Sequence, residues 1–284
     1  MKREDTIHPF ISGNKYRKLK YNILKAEENK QSTLLTFGGA FSNHIAAVAY
    51  AGKEFGFKTI GIIRGDELNE NLEETLSKNS TLRMAHKNGM VFDFVTRSSY
   101  RLKHTEEFLT DCKKKFGDFY LIPEGGTNSL AVKGCEEILK PDDAIYDVVC
   151  VSIGTGGTIA GIINSVTENQ KVIGFPALKG NFLHKEIEKY TIQNENWSLN
   201  SDYHFGGFAK INKELINFSN NFKEETGISL DPIYTGKMMF GIVDLIKKGF
   251  FEKGTKIIAI HTGGLQGVRG MNIRLKQKQL PLLQ

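Results

Sequence analysis

The residues that could do chemistry begin near the N-terminus. Lys15 stands in Ser12-Gly13-Asn14-Lys15-Tyr16, beside a glycine and an aromatic residue. A lysine amine becomes a useful nucleophile when its pKa is lowered. Three glycine turns answer it along the chain, at 38–39, 154–157 and 263–264, each after an apolar run that reads as a strand. The richest is Gly154-Thr155-Gly156-Gly157-Thr158, which runs into Ile159-Ala160-Gly161-Ile162-Ile163 as a helix. Glycines let a backbone approach a ligand closely, and a helix N-terminus presents free N–H groups with a partial positive charge. This turn is therefore a candidate cradle for a terminal phosphate, with Thr155 and Thr158 adding hydroxyls. Ile159 stands where a dinucleotide fingerprint needs glycine, and the Gly-Lys-Ser/Thr of a P-loop is missing. What is expected is a phosphate held by backbone amides, without lysine or an obligatory metal. A tight turn whose glycines serve only packing is the competing reading.

Four more residues carry a functional and a bland reading side by side. Ser42, in Phe41-Ser42-Asn43-His44, could act on a ligand or simply cap the helix that follows. His44 and His261 are lone histidines, a type more often found in cores or behind a site than at a reaction centre. Tyr234, in Asp231-Pro232-Ile233-Tyr234-Thr235-Gly236-Lys237, would alone be a loop aromatic. No H-E-x-x-H or G-x-S-x-G occurs, and no pair of carboxylates stands out. Chemistry without acids or metals points to an organic cofactor.

The elements that must position these residues alternate in type. A helix is predicted from Asn14 to about Asn29, because Tyr16, Leu19, Ile23 and Leu24 share a face. Strands follow at Ser32–Phe37, Phe57–Ile63, Met90–Val95 and Phe119–Ile122, separated by helices at Ile45–Gly52, 71–88 and Thr105–Phe116. The second half continues with a helix over Leu130–Leu139 and the strand Tyr146–Ile153, then the strand Lys171–Phe175. Helices are predicted over Leu183–Ile192, Lys210–Thr226 and Gly236–Gly249, with Lys256–Ile260 as the last strand. Alternation with apolar strands implies parallel sheets covered on both faces, an α/β fold whose ligands bind at the carboxyl ends of strands.

Composition sets the remaining bounds. A chain of 284 residues, 40% of them hydrophobic, can bury one large core or two modest ones. The net charge of +6 comes from scattered lysines interleaved with 32 acids, so a solvated surface is expected and no nucleic-acid partner. Cys112, Cys135 and Cys150 form no C-x-x-C pair, so no disulfide framework and no metal site is expected. The start is charged and no run approaches a membrane span, so the expected location is cytoplasmic, without membrane association.

Taken together, Lys2-Arg3-Glu4-Asp5, Gly13-Asn14-Lys15, Phe41-Ser42-Asn43-His44, Gly154–Thr158, Asp231–Lys237 and His261-Thr262-Gly263-Gly264 resemble one family along the whole chain. It is the 1-aminocyclopropane-1-carboxylate deaminase and D-cysteine desulfhydrase family of pyridoxal-phosphate enzymes. The resemblance implies the tryptophan synthase β-subunit type of fold: two open, mostly parallel twisted sheets flanked by helices, with the cofactor in a cleft between the domains. Residues 18–117 would form the smaller domain, and 1–17 with 118–284 the larger. It also implies a homodimer. Lys15 would form the Schiff base with pyridoxal 5'-phosphate and exchange protons with the substrate carbon. Asn43 would contact the cofactor's phenolic oxygen, and Gly154, Thr155, Gly156, Gly157 and Thr158 its phosphate. Ser42 would bind the substrate carboxylate or assist proton transfer, Asn43 and His44 would also contact the substrate, and Tyr234 would lie beside it, with Lys15, Ser42 and Tyr234 as the catalytic set.

This sequence departs from the pattern in places. Where the deaminase branch carries a glutamate facing the pyridine nitrogen, Thr235 stands here, with Thr262 as a second hydroxyl that could reach the same atom. A neutral hydroxyl leaves the ring a weaker electron sink than a carboxylate does. Thr235 and His44 therefore favour the desulfhydrase branch, β-elimination from D-cysteine to pyruvate, ammonia and sulfide. Deamination of 1-aminocyclopropane-1-carboxylate is the alternative within the class, and a catalytically silent phosphate-ligand-binding protein is the alternative outside it. Phe208 stands where relatives often carry tyrosine. The chain starts at the charged motif, ahead of which relatives usually carry a leading segment; either the start is trimmed or this branch lacks it, and part of one sheet edge is expected to differ.

Overall fold

The computed structural model describes residues 1–180, 182–192 and 195–284. In chain order the elements are β1 (Lys2–Arg3), α1 (Asn14–Glu28), β2 (Thr33–Gly39), α2 (Asn43–Phe55), β3 (Lys58–Arg64), α3 (Leu72–Lys78), α4 (Ser80–Lys87) and β4 (Met90–Val95). Then come α5 (Arg97–Arg101), α6 (Glu106–Phe116), β5 (Tyr120–Ile122), α7 (Ser129–Cys135), β6 (Val148–Ile153), α8 (Gly157–Ser165) and β7 (Lys171–Pro176). The chain ends with α9 (Phe182–Glu188), β8 (Trp197–Leu199), α10 (Lys213–Thr226), α11 (Thr235–Lys247), β9 (Ile257–His261) and α12 (Gly267–Gln277).

The strands form two sheets, one in each of two compact units. One unit is Leu19–Gly126, with the order β4-β3-β2-β5 and every pair parallel. The other is Met1–Lys18 with Thr127–Gln284, with the order β1-β9-β6-β7-β8, again parallel throughout. The α/β reading of the sequence holds. Tyr120–Ile122 pairs with Leu34–Thr36 of β2, so the chain leaves the smaller unit only after Gly126.

The central strands are apolar because both faces are covered. All six residues of β6 are buried, as is every residue of α8 from Gly157 to Ile163. A helix apolar all round is a core helix. It packs closely on α7, since a Cβ on Gly161 would come 2.5 Å from Cys135 Cβ. In the smaller unit, Leu35, Phe37, Ile60, Ile62 and Tyr100 form a second core. Each such apolar side chain contributes roughly 1.5–3 kcal/mol by leaving water.

Some elements differ from the sequence reading. The helix expected over 71–88 breaks at Asn79, whose Oδ1 accepts from Leu82 N–H and whose Nδ2 donates to the Ala40 carbonyl at 2.9 Å. An asparagine that can bond nearby backbone offers an alternative to a continuous helix. The helix expected to Leu139 stops at Cys135, and the short edge strands β1 and β8 and the helix α12 carried too weak a pattern to be anticipated.

Candidate active site

Lys15 is set by a close approach of two glycine turns in the larger unit. Gly13 has φ 65°, and a Cβ there would come 2.0 Å from the Thr262 carbonyl oxygen. Asn14 N–H donates to that oxygen at 3.2 Å, fixing the start of α1 against the end of β9. A turn further along α1, Arg17 donates to the Glu4 carboxylate at 2.8 and 3.2 Å, and Glu4 belongs to the charged N-terminal motif. The motif thus orients the first turn of α1. Burial and the nearby charge of Lys18 push the Lys15 amine down to about 7. At neutral pH much of it is unprotonated and able to attack a carbonyl.

The Gly154–Thr158 turn enters α8 through Gly156, at φ 87°, a left-handed position that glycine takes without strain. Asn14 joins this turn to Lys15. Its Nδ2 donates to Thr158 Oγ1 at 2.8 Å, while its Oδ1 accepts from Lys15 Nζ at 3.3 Å. The expectation of a cradle without lysine is corrected here. Lys18 is buried, and its Nζ donates to Thr127 Oγ1 at 3.0 Å and to Thr155 Oγ1 at 3.4 Å. Those two hydroxyls are 2.6 Å apart. A Cβ on Gly157 would come 2.9 Å from Thr127 Oγ1 and 3.3 Å from Lys18 Nζ, so only glycine leaves the helix start open. An ammonium, a group of threonine hydroxyls and the N-terminus of a buried helix suit a phosphate monoester.

The residues present therefore fit pyridoxal phosphate: an amine of lowered pKa at Lys15 suits its aldehyde, and the turn beside Lys18 suits its phosphate. Sequence reading missed Lys18, Asn14 and Thr127. The spacing of Lys15 and Lys18, three residues apart on one helix, was the available signal.

Tyr234 precedes α11 and packs on the same turn, its ring carbons 3.1 Å from where a Cβ on Gly154 would stand. The Phe208 ring lies 6.3 Å from it, tilted by 60°. Thr235 is fully buried and its hydroxyl is already engaged, donating to Asp231 Oδ2 at 2.8 Å and accepting from Asp231 N–H at 2.9 Å. Asp231 also accepts the backbone N–H groups of Ile233, Tyr234 and Thr235, which fixes the turn that presents Tyr234. Thr262 Oγ1 is 3.3 Å from Ser152 Oγ. His261 is fully buried; its Nε2 lies 2.8 Å from the Ser229 carbonyl and its Nδ1 accepts from Gly263 N–H.

Within the smaller unit, Ser42 and Asn43 stand at the start of α2. Ser42 caps that helix, accepting from Ile45 N–H at 3.4 Å, which leaves the hydroxyl proton for another acceptor. His44, expected at the substrate, is instead buried at 2% exposure with Nε2 2.8 Å from Thr36 Oγ1. Thr36 donates to the Ile122 carbonyl, so His44 ties α2 to β2 and β5. Its position two places beyond the cap turns it onto the sheet.

Comparison with known proteins agrees with this chemistry. The profile of the family described as pyridoxal-phosphate dependent enzyme matches residues 1–263. The Arabidopsis thaliana mitochondrial bifunctional D-cysteine desulfhydrase/1-aminocyclopropane-1-carboxylate deaminase is 30% identical, over 94% of this chain and 72% of its own. The 1-aminocyclopropane-1-carboxylate deaminase of Rhizobium rhizogenes is 29% identical, over 95% and 87%. A crystal structure of an ACC deaminase homologue superposes with TM-score 0.81 at 28% identity, covering 97% of this chain and 87% of that one. With a partly buried amine of lowered pKa, a glycine turn whose surroundings suit a phosphate and a family profile over nearly its whole length, the chain belongs to the pyridoxal-phosphate dependent enzymes.

Proposed function

We propose that this enzyme is a lyase acting on a small free amino acid, most simply D-cysteine, by loss of the α-proton and β-elimination to pyruvate, ammonia and sulfide. The observation that carries the reading is Thr235, a neutral hydroxyl where the deaminase branch places a glutamate against the ring nitrogen, with Thr262 as a second neutral hydroxyl for the same atom. A weaker electron sink suffices when a thiol leaves, whereas opening a cyclopropane needs a stronger one. The name of the Arabidopsis relative carries both activities, so deamination of 1-aminocyclopropane-1-carboxylate is the second reading.

When bound, pyridoxal phosphate withdraws electrons from the substrate α-carbon. In this reading Lys15 holds the cofactor, then takes the α-proton and supplies a proton to the departing thiolate, a role that its amine suits at neutral pH. Lys18, Thr155 and the α8 N-terminus hold the phosphate, and Asn14 keeps Lys15 beside them. Ser42 binds the substrate carboxylate, and Asn43 the phenolic oxygen. Tyr234 orients the substrate. A cytoplasmic homodimer completes the proposal. The three cysteines are buried free thiols, and among the described residues no helix is long and apolar enough to cross a membrane.

The test is a screen of D- and L-cysteine, D- and L-serine and 1-aminocyclopropane-1-carboxylate with the cofactor-loaded enzyme, scoring keto acid and sulfide. Turnover of D-cysteine with sulfide release supports elimination. Turnover of the cyclopropane alone would reverse the preference, and silence on every substrate would favour a phosphate-ligand-binding protein. Sedimentation analysis checks the dimer.

A further inference from the structure

Lys237 lies two residues beyond Thr235 on α11 and is 2% exposed. A buried ammonium is costly unless its hydrogen bonds are made. Among the described residues its hydrogen bonds go to one place: Nζ donates to the carbonyls of His204 and Gly207, each at 2.8 Å. The loop that carries those carbonyls is built on an unusual backbone. Phe205 has φ 52° and Ala209 φ 54°, with Gly206 at 93° and Gly207 at 110° between them. A left-handed conformation costs a non-glycine residue roughly 1–2 kcal/mol, so two such residues persist only where the surroundings over-determine them. Within the loop, His204 Nδ1 accepts from Gly206 N–H, Gly207 N–H donates back to the His204 carbonyl, and Lys210 N–H to that of Gly207. The two carbonyls that Lys237 grips are therefore the ones on which the loop is wound. At its tip stands Phe208, half exposed, facing the Tyr234 ring.

We infer that Lys237 is a positioning residue for substrate selection: it clamps the His204–Lys210 loop so that Phe208 and Tyr234 form one apolar wall for the substrate's side chain. The inference rests on the proposed place of Tyr234 beside the substrate. A wall of one phenylalanine and one tyrosine accepts a small uncharged β-substituent such as a thiol or hydroxyl. It disfavours a carboxylate or phosphate ester, whose charge would lose water without gaining a partner.

The experiment uses the cofactor-loaded enzyme and its Lys237→Met, Phe208→Ala, Tyr234→Ala and Lys237→Met/Phe208→Ala variants, assayed on the best small substrate. Amide hydrogen exchange is followed over 203–210. Lys237→Met is expected to speed exchange in that loop and to raise KM by about tenfold, with a smaller fall in kcat and an unchanged cofactor absorbance spectrum. Phe208→Ala is expected to raise KM similarly, and the double variant to be no worse than either single one, because both remove the same wall. Unchanged exchange, or KM effects that multiply in the double variant, would overturn the clamp. Faster exchange with KM unmoved in both Lys237→Met and Tyr234→Ala would overturn it differently, by removing Tyr234 from the substrate. Should Lys237→Met fail to fold, Gly206→Ala strains the same loop, since its φ is 93° while the nearest atom to a new Cβ is 3.5 Å away. It must reproduce the KM rise and the lack of additivity with Phe208→Ala.

Discussion

Replacing Lys18 by methionine isolates the part of the cradle that sequence reading left out. Methionine keeps an unbranched stem of similar reach but removes the charge, so the bonds to Thr127 and Thr155 are lost while the packing is largely kept. A hydrogen bond to a charged partner is worth about 1.5–3 kcal/mol, which corresponds to a roughly 10- to 150-fold weaker Kd for pyridoxal phosphate. The apoprotein responds differently. Burial holds the Lys18 ammonium below its ordinary pKa, which means the charged form is disfavoured there before any phosphate arrives. Removing it should leave the melting temperature of the apoprotein unchanged or raised, while the gain in melting temperature on adding cofactor shrinks. Equilibrium dialysis of the apoprotein with pyridoxal phosphate and with pyridoxal makes the assay specific: the variant should lose affinity for the phosphate ester and keep its affinity for the alcohol. Equal losses for both, or an affinity for the ester within twofold of the parent, would refute the placing of Lys18 against the phosphate.

Lys15→Ala should abolish the covalent, borohydride-reducible attachment of the cofactor; a protein-bound cofactor band near the visible edge that persists without added amine would sink that assignment. In the parent, attachment to the apoprotein should accelerate as pH rises through about 7 and then level off, whereas an ordinary lysine would keep gaining to about 10.4. The folded-state pKa lies below that of the unfolded chain, so between these two values the unfolded state binds more protons. Apoprotein stability contributed by Lys15 should therefore rise with pH over that window and the rise should vanish in Lys15→Ala, as urea melts at pH 7 and pH 9 would reveal. Gly13→Ala should leave little folded protein, because its Cβ would fall 2.0 Å from the Thr262 carbonyl at a left-handed φ; expression and circular dichroism report it.

The sequence disclosed the architecture wherever local pattern and burial agreed. Val148–Ile153 is apolar but for Ser152 because it is central in its sheet, and Gly156-Gly157 marks a helix start that must stay open. Less legible were features fixed by long-range partners. Lys18 reads as one more base on a basic helix until Thr127, over a hundred residues away, is placed against it. His44 lies in a motif that suggests ligand contact, yet helical periodicity turns it onto Thr36. Asp231 and Lys237 look like surface charges of a polar turn, but both are buried and bonded largely to backbone. Charge type is visible in a sequence; the backbone groups that neutralise its burial are not.

The two threonines left undivided by the sequence are divided by their hydrogen bonds. A hydroxyl has one proton to give. Thr235 gives its proton to Asp231, so toward a ring nitrogen it could only accept, which requires that nitrogen to be protonated. Thr262 shares a longer bond with Ser152 in which either oxygen can be the donor, so it can turn its proton toward an unprotonated nitrogen. An unprotonated ring is the weaker electron sink and matches elimination of a thiol, which makes Thr262 the expected partner and Thr235 the support of the Tyr234 turn. Thr235→Val leaves the Asp231 N–H without its acceptor inside the fold, at a cost of about 1–3 kcal/mol, or a melting temperature lower by roughly 2–12 °C. Thr262→Val breaks one long bond and should cost under about 1 kcal/mol, yet it should shift the cofactor's absorbance and lower kcat. The reverse pattern, with Thr235→Val stable but spectrally shifted and Thr262→Val merely destabilised, would put Thr235 at the nitrogen. It would then require the ring to be protonated, and with that the preference for elimination over ring opening would lose its physical basis.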